Sequence, residues 1–518
     1  MPAPVIPALG WFAAAAFADD PSATAAPPES RLVEARVGVT PGAAPPPKYV
    51  ALIALVQAKA VGTDLASTNP FLDGQVVGVL GGTNGLTVGT EGVSTYVEQR
   101  LSTFLTVTPP TLDGRASLAA AFEVDFAWGD RSYGVGGNTG GAFGADMVNL
   151  QTRRFHATLV PLRGRHDLRV HVGLQFVPDG PFDPTTSRPD DLLRSSGRLM
   201  IVGSEAAGIA AYGRVGGDAG TRLRYRLGSF TLWESGLADP DDTTLHLADL
   251  RFEPDWRAAF GVHAAWIRDR SGGAAGTLGV GPASTLSEMQ GGPRLDVRDG
   301  ATGDAPALDA DVVWLSADAG FNHRLDRGPI GASGFVATDV GRLYVDGLDD
   351  RSILGWMADG EVRARWAPGD GSVVRAELLA TSTDDPADPT YTGAITANSW
   401  GVVGALNATH GTVLLMPDPF SIDRYTGVVH DVANGGNGVV AASGSAGFDP
   451  IPGRFTTTVG AGWAESRGDT VGTELNAHLV AEPLLFLNLG LHGGVVLGTA
   501  LPAAPWIVYG SFDWLVFE

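Results

Sequence analysis

The chain repeats an alternation of apolar and polar residues that the segment 118–128 shows most clearly. In this segment every even position is apolar, whereas Glu123 and Asp125 stand at odd positions. Because side chains alternate between the two faces of a strand, the pattern predicts a β-strand with one apolar and one charged face. A soluble sandwich would turn the charged face to water. A transmembrane barrel would turn the apolar face to lipid and the charged face to a water-filled lumen.

Further segments repeat this pattern and carry aromatic residues near their ends. Residues 168–176 separate a polar from an apolar face, and residues 222–227 place three arginines opposite two leucines and a tyrosine. The apolar rows of 256–266 and 356–366 both begin and end with tryptophan. Tryptophans at both ends of a strand are typical of the two aromatic girdles of an outer-membrane barrel. A sandwich explains the alternation equally well, but it does not explain the repeated tryptophans.

Short connections rich in proline, glycine and aspartate alternate with longer polar ones. The short ones lie at 109–114, 162–165, 216–220, 327–329, 368–371 and 449–453, and the longer ones at 130–147, 178–204, 270–309 and 383–397. The short sequences supply the backbone angles that a hairpin turn requires. We therefore predict an all-β fold, a transmembrane antiparallel up-and-down β-barrel with short periplasmic turns and long extracellular loops. It should have about 18 strands, within a range of roughly 16 to 20.

The chain divides into three predicted parts. Residues 1–18 are predicted to be a cleaved signal peptide, because 5–17 are apolar and Ala16-Phe17-Ala18 has the small-x-small pattern of a cleavage site. Residues 19–48 are rich in alanine and proline, a composition that cannot pack a core and predicts a disordered periplasmic linker. From 49 to 518 the alternating runs continue without a second boundary, which predicts a single barrel.

Composition narrows the class of protein further. The chain has 518 residues, no cysteine, a formal charge of −22 and only 18% charged residues. No segment offers the roughly 20 consecutive apolar residues that a membrane helix needs. The acidic balance argues against nucleic acid as a partner, since the chain has no basic tail or basic domain to meet phosphates. We expect an outer-membrane location, with membrane lipid and lipopolysaccharide as the surrounding partners.

The last segment carries an alternating row that ends near the C-terminus. Every even position from Trp506 to Val516 belongs to a predicted outward row, and Phe517 is the penultimate residue. The segment resembles the C-terminal signal strand through which Gram-negative outer-membrane proteins engage the barrel-assembly machinery. In those proteins the aromatic residue usually comes last, whereas here Glu518 follows it.

Part of the chain resembles alginate-export-like porins and related bacterial outer-membrane barrels. The segment Gly472-Thr473-Glu474-Leu475-Asn476-Ala477, followed by 487–491 and Gly498, resembles the closing strands of that class, and 122–130 with 149–154 resemble its paired early strands. The resemblance implies a barrel whose arginine-rich constriction passes a polyuronate. By this resemblance, the candidates for such a lining are Arg154, Arg169, Arg222, Arg224 and Arg226.

The predicted lumen face concentrates basic residues in the first half of the chain. The candidate pore-lining set is Arg154, His156, Arg169, His171, Arg222, Arg224 and Arg226. Rings of arginine in a confined pore favour anions through direct charge attraction. The alternative is that these arginines pair with carboxylates on neighbouring strands and brace the wall. The triplet at 222, 224 and 226 favours the first hypothesis, because three like charges on one face need partners or an anion.

Other residue patterns carry weaker predictions. The acidic clusters at 239–242, 346–350 and 384–388 lack the spacing of a calcium loop and are predicted to be solvated loop surface. The proline-containing segment 416–420 is a candidate inward-folded constriction. No nucleophile elbow or zinc-binding motif is present, so we predict no enzyme activity, metal or cofactor.

Three functions remain open from the sequence. The first is an outer-membrane porin that lets anionic solutes diffuse through an arginine-lined lumen. The second is a barrel closed by its own side chains and loops that serves as a surface or adhesion scaffold. The third is an outer-membrane hydrolase, which would require a loop serine near His156 or His171.

Overall fold

The structure, a computed structural model, describes most of the chain after residue 49. The described residues are 50–67, 87–112, 115–127, 149–162, 168–177, 204–215, 223–234, 236, 241–254, 258–275, 277–278, 307–322, 325, 328–347, 349–369, 371–385, 387–397, 412–416, 436–466, 469–484, 486–498 and 504–517. The predicted signal peptide and the Ala/Pro-rich linker lie outside them.

The described residues form β-strands almost throughout. In chain order these are β1 (Val50–Ser67), β2 (Thr87–Val107), β3 (Ala116–Ala127), β4 (Asn149–Leu159), β5 (Leu168–Val177), β6 (Ser204–Arg214), β7 (Leu223–Trp233), β8 (Thr243–Phe252), β9 (Ala258–Asp269), β10 (Leu308–Phe321), β11 (Ile330–Val345), β12 (Arg351–Arg365), β13 (Val373–Thr381), β14 (Thr390–Tyr391), β15 (Val440–Ile451), β16 (Phe455–Ser466), β17 (Asp469–Leu484), β18 (Leu487–Leu497) and β19 (Trp506–Phe517). A 3₁₀ turn, Pro110–Leu112, follows β2. No helix among the described residues is long and apolar enough to span a membrane.

Eighteen of these strands close into one antiparallel barrel. Each strand from β1 to β13 pairs with the next, β13 pairs with β15, and the series continues to β19, which pairs with β1. The two residues of β14 instead pair in parallel with Ser352 and Ile353 of β12. Closure gives every one of these wall strands a hydrogen-bonded neighbour on each side, so none of them is an edge strand. The predicted fold class and strand number are confirmed.

The wall presents apolar side chains outward and polar side chains inward. On β12, Leu354, Trp356 and Val362 are exposed, whereas Asp359 and Glu361 are only 6% and 2% exposed. β9 shows the same arrangement, with Phe260, Val262 and Trp266 exposed. Exposed large hydrophobic residues on strand after strand would be unfavourable in water, and they match the lipid-facing band of a transmembrane barrel.

The connections differ in length at the two ends of the barrel. At the end where β1 begins and β19 stops, all are short, such as 452–454 and 485–486. At the other end lie the long connections 178–203 and 382–439, as the sequence pattern predicts. Three connections at this second end, 346–350, 467–468 and 498–505, are nevertheless no longer than those at the first end, so the alternation is not strict.

The close pairing of β10 with β11 depends on Gly341. This residue has a φ of +153°, and a Cβ added to it would lie 1.9 Å from the carbonyl oxygen of Asp311. We expect Gly341→Ala to lower the free energy of unfolding by about 1–3 kcal/mol, because the methyl group clashes with backbone that cannot move away. The measurement is urea unfolding of the refolded protein in detergent. Gly360→Ala on β12 is the matched control, since its Cβ would meet no atom within 4 Å, and an equal effect of both changes would contradict the explanation.

Candidate functional site: the interior of the barrel

The predicted arginine triplet lies on β7, and two of its members are described. Arg226 is 8% exposed and forms an ion pair with Asp249 of β8. Arg224 places its Nη2 3.1 Å from Oε2 of Glu253, which follows β8. Arg222 lies outside the described residues. The neighbouring strand thus supplies a carboxylate to each described arginine, as the bracing alternative requires.

These ion pairs belong to a larger network that continues to β10. Nδ1 of His263, on β9, lies 2.9 Å from Oδ1 of Asp249. Nε2 of the same ring contacts Asp318 of β10. Arg251 lies 3.6 Å from Asp318 and 3.5 Å from Glu253. We call this set the β7–β10 network: Arg224, Arg226, Asp249, Arg251, Glu253, His263 and Asp318. Its last five members were not predicted from the sequence, because only the strand register shows which inward residues are neighbours.

The remaining predicted lumen residues lie together on β4 and β5. The guanidinium carbon of Arg154 is 5.4 Å from the ring centre of Phe104 on β2. The rings of His156 and His171 stack with centres 4.9 Å apart, and His171 contacts the ring of Tyr212 on β6 at 4.6 Å. Arg169, the second residue of β5, lies on the same face of the strand as His171, and its side chain is exposed. These residues form a ladder of rings flanked by two arginines.

Charge is distributed unevenly around the lumen. Among residues whose side chains are described, β4–β8 turn six arginines inward: Arg154, Arg169, Arg214, Arg224, Arg226 and Arg251. On the same strands and the turn after β8, the described inward carboxylates are Asp249 and Glu253. The described side chains of this sector therefore carry a net positive charge, which raises the local concentration of anions in a confined aqueous space.

The wall from β10 to β17 carries most of the buried carboxylates among the described residues. They are Asp318, Asp339, Asp359, Glu361, Glu377, Asp449 and Glu474, each no more than 6% exposed. Glu361 contacts Arg363 on its own strand, and its Oε2 lies 3.4 Å from Nε of Arg375 on β13. The lumen thus has a basic sector and an acidic sector rather than a uniform ring of arginines.

A segment of the long connection after β14 folds into the barrel and is held there by Glu474. The backbone N–H groups of Val413, Leu414 and Leu415 donate to the Glu474 carboxylate at 2.6, 2.8 and 2.6 Å. The Asn476 side chain donates to the same carboxylate at 2.7 Å. Leu414 and Leu415 are fully buried. We call residues 412–416 the tethered segment.

The predicted inward constriction at 416–420 is described only at its first residue. Met416 is 4% exposed and belongs to the tethered segment. Residues 417–420 lie outside the described residues, so the rest of that prediction stays a prediction.

A second segment, residues 394–397, also packs inside the wall. Trp314 of β10 donates its indole N–H to the carbonyl oxygen of Ile395 at 2.8 Å, and both residues are fully buried. Ala397 forms an isolated antiparallel bridge with Leu278, from the connection after β9. The sequence pattern predicts that both connections are extracellular loops. These described parts of them instead pack inside the wall and narrow the interior.

The described acidic clusters make local loop contacts. Asp384 accepts hydrogen bonds from Arg351 and from the N–H of Thr392, and Asp388 accepts one from the N–H of Thr390. A hydrogen bond with Asp242 raises the pKa of the exposed Glu234 carboxyl beyond β7. Within the described part of the chain, no three His, Cys, Asp or Glu side chains are grouped as a metal site.

Comparison with known proteins shows similarity at the level of solved structures. Pseudomonas aeruginosa OpdK with vanillate is 12% identical, with 90% of this chain and 99% of that chain covered and a TM-score of 0.48. Acinetobacter baumannii OccAB4 is 10% identical, with 91% and 99% covered and a TM-score of 0.46. A BenF-like porin from Pseudomonas fluorescens Pf-5 is 10% identical, with 90% and 99% covered and a TM-score of 0.46. No protein-family model and no curated protein sequence matches the chain. These values describe similarity of fold and assign no role to any lumen residue.

Proposed function

We propose that this protein is an outer-membrane channel whose lumen favours small or polymeric anions. The observation that carries the proposal is the excess of inward arginines over carboxylates on β4–β8. The outward apolar band supports a membrane location, and a lumen of opposed charge sectors supports a polar, water-filled interior. A solute carrying carboxylates or phosphates would travel along the basic sector and away from the acidic one.

The arginines of this sector do not contribute equally. Arg224 and Arg226 are neutralised by carboxylates of the β7–β10 network, so their charge is largely cancelled at a distance. Arg169 and Arg214 are exposed, and neither forms an ion pair with another residue in the described part of the chain. We therefore assign anion attraction chiefly to Arg169 and Arg214, and a bracing role to Arg224 and Arg226.

Selectivity should follow the two exposed arginines. We expect the double change Arg169→Glu and Arg214→Glu to lower the chloride-to-potassium permeability ratio by roughly tenfold, because it replaces two lumen cations with anions. The measurement is the reversal potential of single channels in a planar bilayer under a potassium chloride gradient. Arg342→Glu is the matched control, because Arg342 is an exposed residue on the outer face of β11, paired with Asp350. An unchanged ratio in the double variant would contradict an arginine-guided path.

The solute class needs its own test. The resemblance to alginate-export-like porins makes polyuronates the first candidates. An oligouronate added to one side should interrupt the wild-type current more often than a neutral oligosaccharide of equal length. Equal interruption by both sugars would argue against an anionic polymer and leave small anions as the solute.

A second candidate function is a closed barrel that acts as a surface scaffold. The two inward segments favour it, because 394–397 and 412–416 bury apolar side chains in the interior. The same planar-bilayer recording separates the candidates. A barrel shown to be folded by heat-modifiable gel migration, yet electrically silent, would be a scaffold. The hydrolase alternative gains no support from His156 and His171, whose rings stack on each other.

A further inference from the structure

A second histidine pair lies in another part of the barrel wall, across the β17–β18 pair. His478 and His492 are register partners, both on the inward face, and their Nδ1 atoms are 2.8 Å apart. Both side chains are half-buried, so water in the lumen reaches them. We infer that His478 and His492 form a binding site for a late first-row divalent transition metal such as Cu²⁺ or Zn²⁺.

Ser511 is a hydrogen-bond partner for the second ring nitrogen of His492. Nε2 of His492 lies 3.0 Å from Oγ of Ser511. In the neutral tautomer that carries its proton on Nε2, His492 donates to Ser511, and its unprotonated Nδ1 faces His478. Metal-ligating histidines commonly donate their second ring N–H to such an outer partner.

Metal binding requires only small changes at His478. In the metal-free site its Nδ1–H donates to Nδ1 of His492. When a metal binds, that proton moves to Nε2 through water, and both Nδ1 lone pairs become ligands. Zn–N bonds of about 2.0–2.1 Å place two tetrahedral nitrogens roughly 3.3 Å apart, so the rings separate by about half an ångström. The remaining positions are open to water or to a carboxylate of a passing solute.

The aromatic neighbour of His492 holds its ring in place. Tyr509 of β19 stacks on it with centres 4.5 Å apart and an interplanar angle of 16°. The Nζ atom of Lys59 lies over the same Tyr509 ring, 4.7 Å from its centre. This packing orients one ligand before the metal arrives, which lowers the ordering cost of binding.

Ser511 beside His492 also has the residue types of a serine nucleophile with a histidine base, but the structure favours a metal site. A serine nucleophile would also need an oxyanion hole, a set of free N–H donors beside its Oγ. The backbone N–H groups of β18 and β19 are used by the barrel ladder, so they form no oxyanion hole.

The test measures Cu²⁺ and Zn²⁺ binding to the refolded full-length protein, purified without a polyhistidine tag. Titration calorimetry should show a site that is lost in His478→Gln and in His492→Gln, and Cu²⁺ electron paramagnetic resonance should show coupling to two nitrogens. Ser511→Ala should weaken binding about 10-fold or more, because it frees the orientation of His492. Heat-modifiable migration checks that each variant folds.

The matched control is the stacked pair on β4 and β5. His156→Gln with His171→Gln should leave this site intact, because those ring nitrogens do not converge. The inference is overturned if the wild type binds no more metal than His478→Gln with His492→Gln, or if both pairs contribute equally. Labelling of Ser511 by a fluorophosphonate, abolished in Ser511→Ala, would also overturn it in favour of a nucleophile. None of these results depends on whether the barrel conducts ions.

Discussion

Replacing Glu474 with glutamine should increase the single-channel conductance of the barrel and make the current noisier. The Glu474 carboxylate accepts three backbone N–H groups of the tethered segment and the Asn476 amide. A glutamine keeps one acceptor oxygen and turns an NH₂ group toward donors, so at least two of these bonds are lost. Hydrogen bonds to charged groups contribute about 1.5–3 kcal/mol each. The free energy that holds the tethered segment to the wall should therefore fall by roughly 3 kcal/mol or more.

Glu377→Gln is the matched control for this change. It removes a similarly buried charge from the inward face of β13, near the tethered segment, while leaving the bonds to Glu474 in place. Hydrogen exchange at the amide of Leu414 reports directly whether the tether is cut. Faster exchange with unchanged conductance would contradict the idea that the tethered segment narrows the lumen. Equal conductance changes in both variants would assign the effect to charge alone.

The wall of the barrel could be predicted from the sequence because its signal is local. The alternation around Glu123, the tryptophans at 356 and 366 and the turn residues all concern positions a few residues apart. A period of two assigns each side chain to a face whatever its neighbours in space are. The observed outward residues of β9, β12 and β19 agree with that assignment.

The contents of the lumen could be predicted only in part, because they depend on pairings distant in sequence. Arg226 and Asp318 are 92 positions apart in the chain, and only the register of β7 to β10 links them through Asp249 and His263. The tethered segment is held by a residue about 60 positions later. Glu474 stands in the motif behind the porin resemblance, yet nothing in that motif indicates a bond to a loop.

Whether a lumen arginine is paired with a carboxylate could not be predicted from the sequence either. Sequence pattern correctly separates inward from outward positions, but it does not show whether an inward arginine meets a carboxylate or open water. Arg224 and Arg226 meet carboxylates, whereas Arg169 is exposed. The difference matters because a paired charge attracts solute anions far less than an exposed one at the same position.

The largest expected loss of stability comes from Asp318→Asn in the β7–β10 network. The Asp318 side chain is fully buried and contacts His263 and Arg251. Removing one partner from a buried ion pair leaves the other charges uncompensated, which costs about 3–5 kcal/mol in free energy of unfolding. Urea unfolding in detergent micelles, followed by tryptophan fluorescence, measures this. Asp350→Asn is the matched control: its pair with Arg342 is 45–55% exposed, and exposed pairs contribute about 0–1 kcal/mol.

A double-mutant cycle shows whether the loss belongs to the network or to the aspartate alone. With His263→Gln added to Asp318→Asn, the combined loss should be smaller than the sum of the single losses, because the imidazole and the carboxylate depend on each other. Simple additivity would mean that the contact between His263 and Asp318 contributes nothing. If Asp318→Asn cost no more than Asp350→Asn, the network would not brace the wall. Arg224 and Arg226 would then need another reason to lie beside carboxylates, and a direct role in attracting solute would become the better explanation for both.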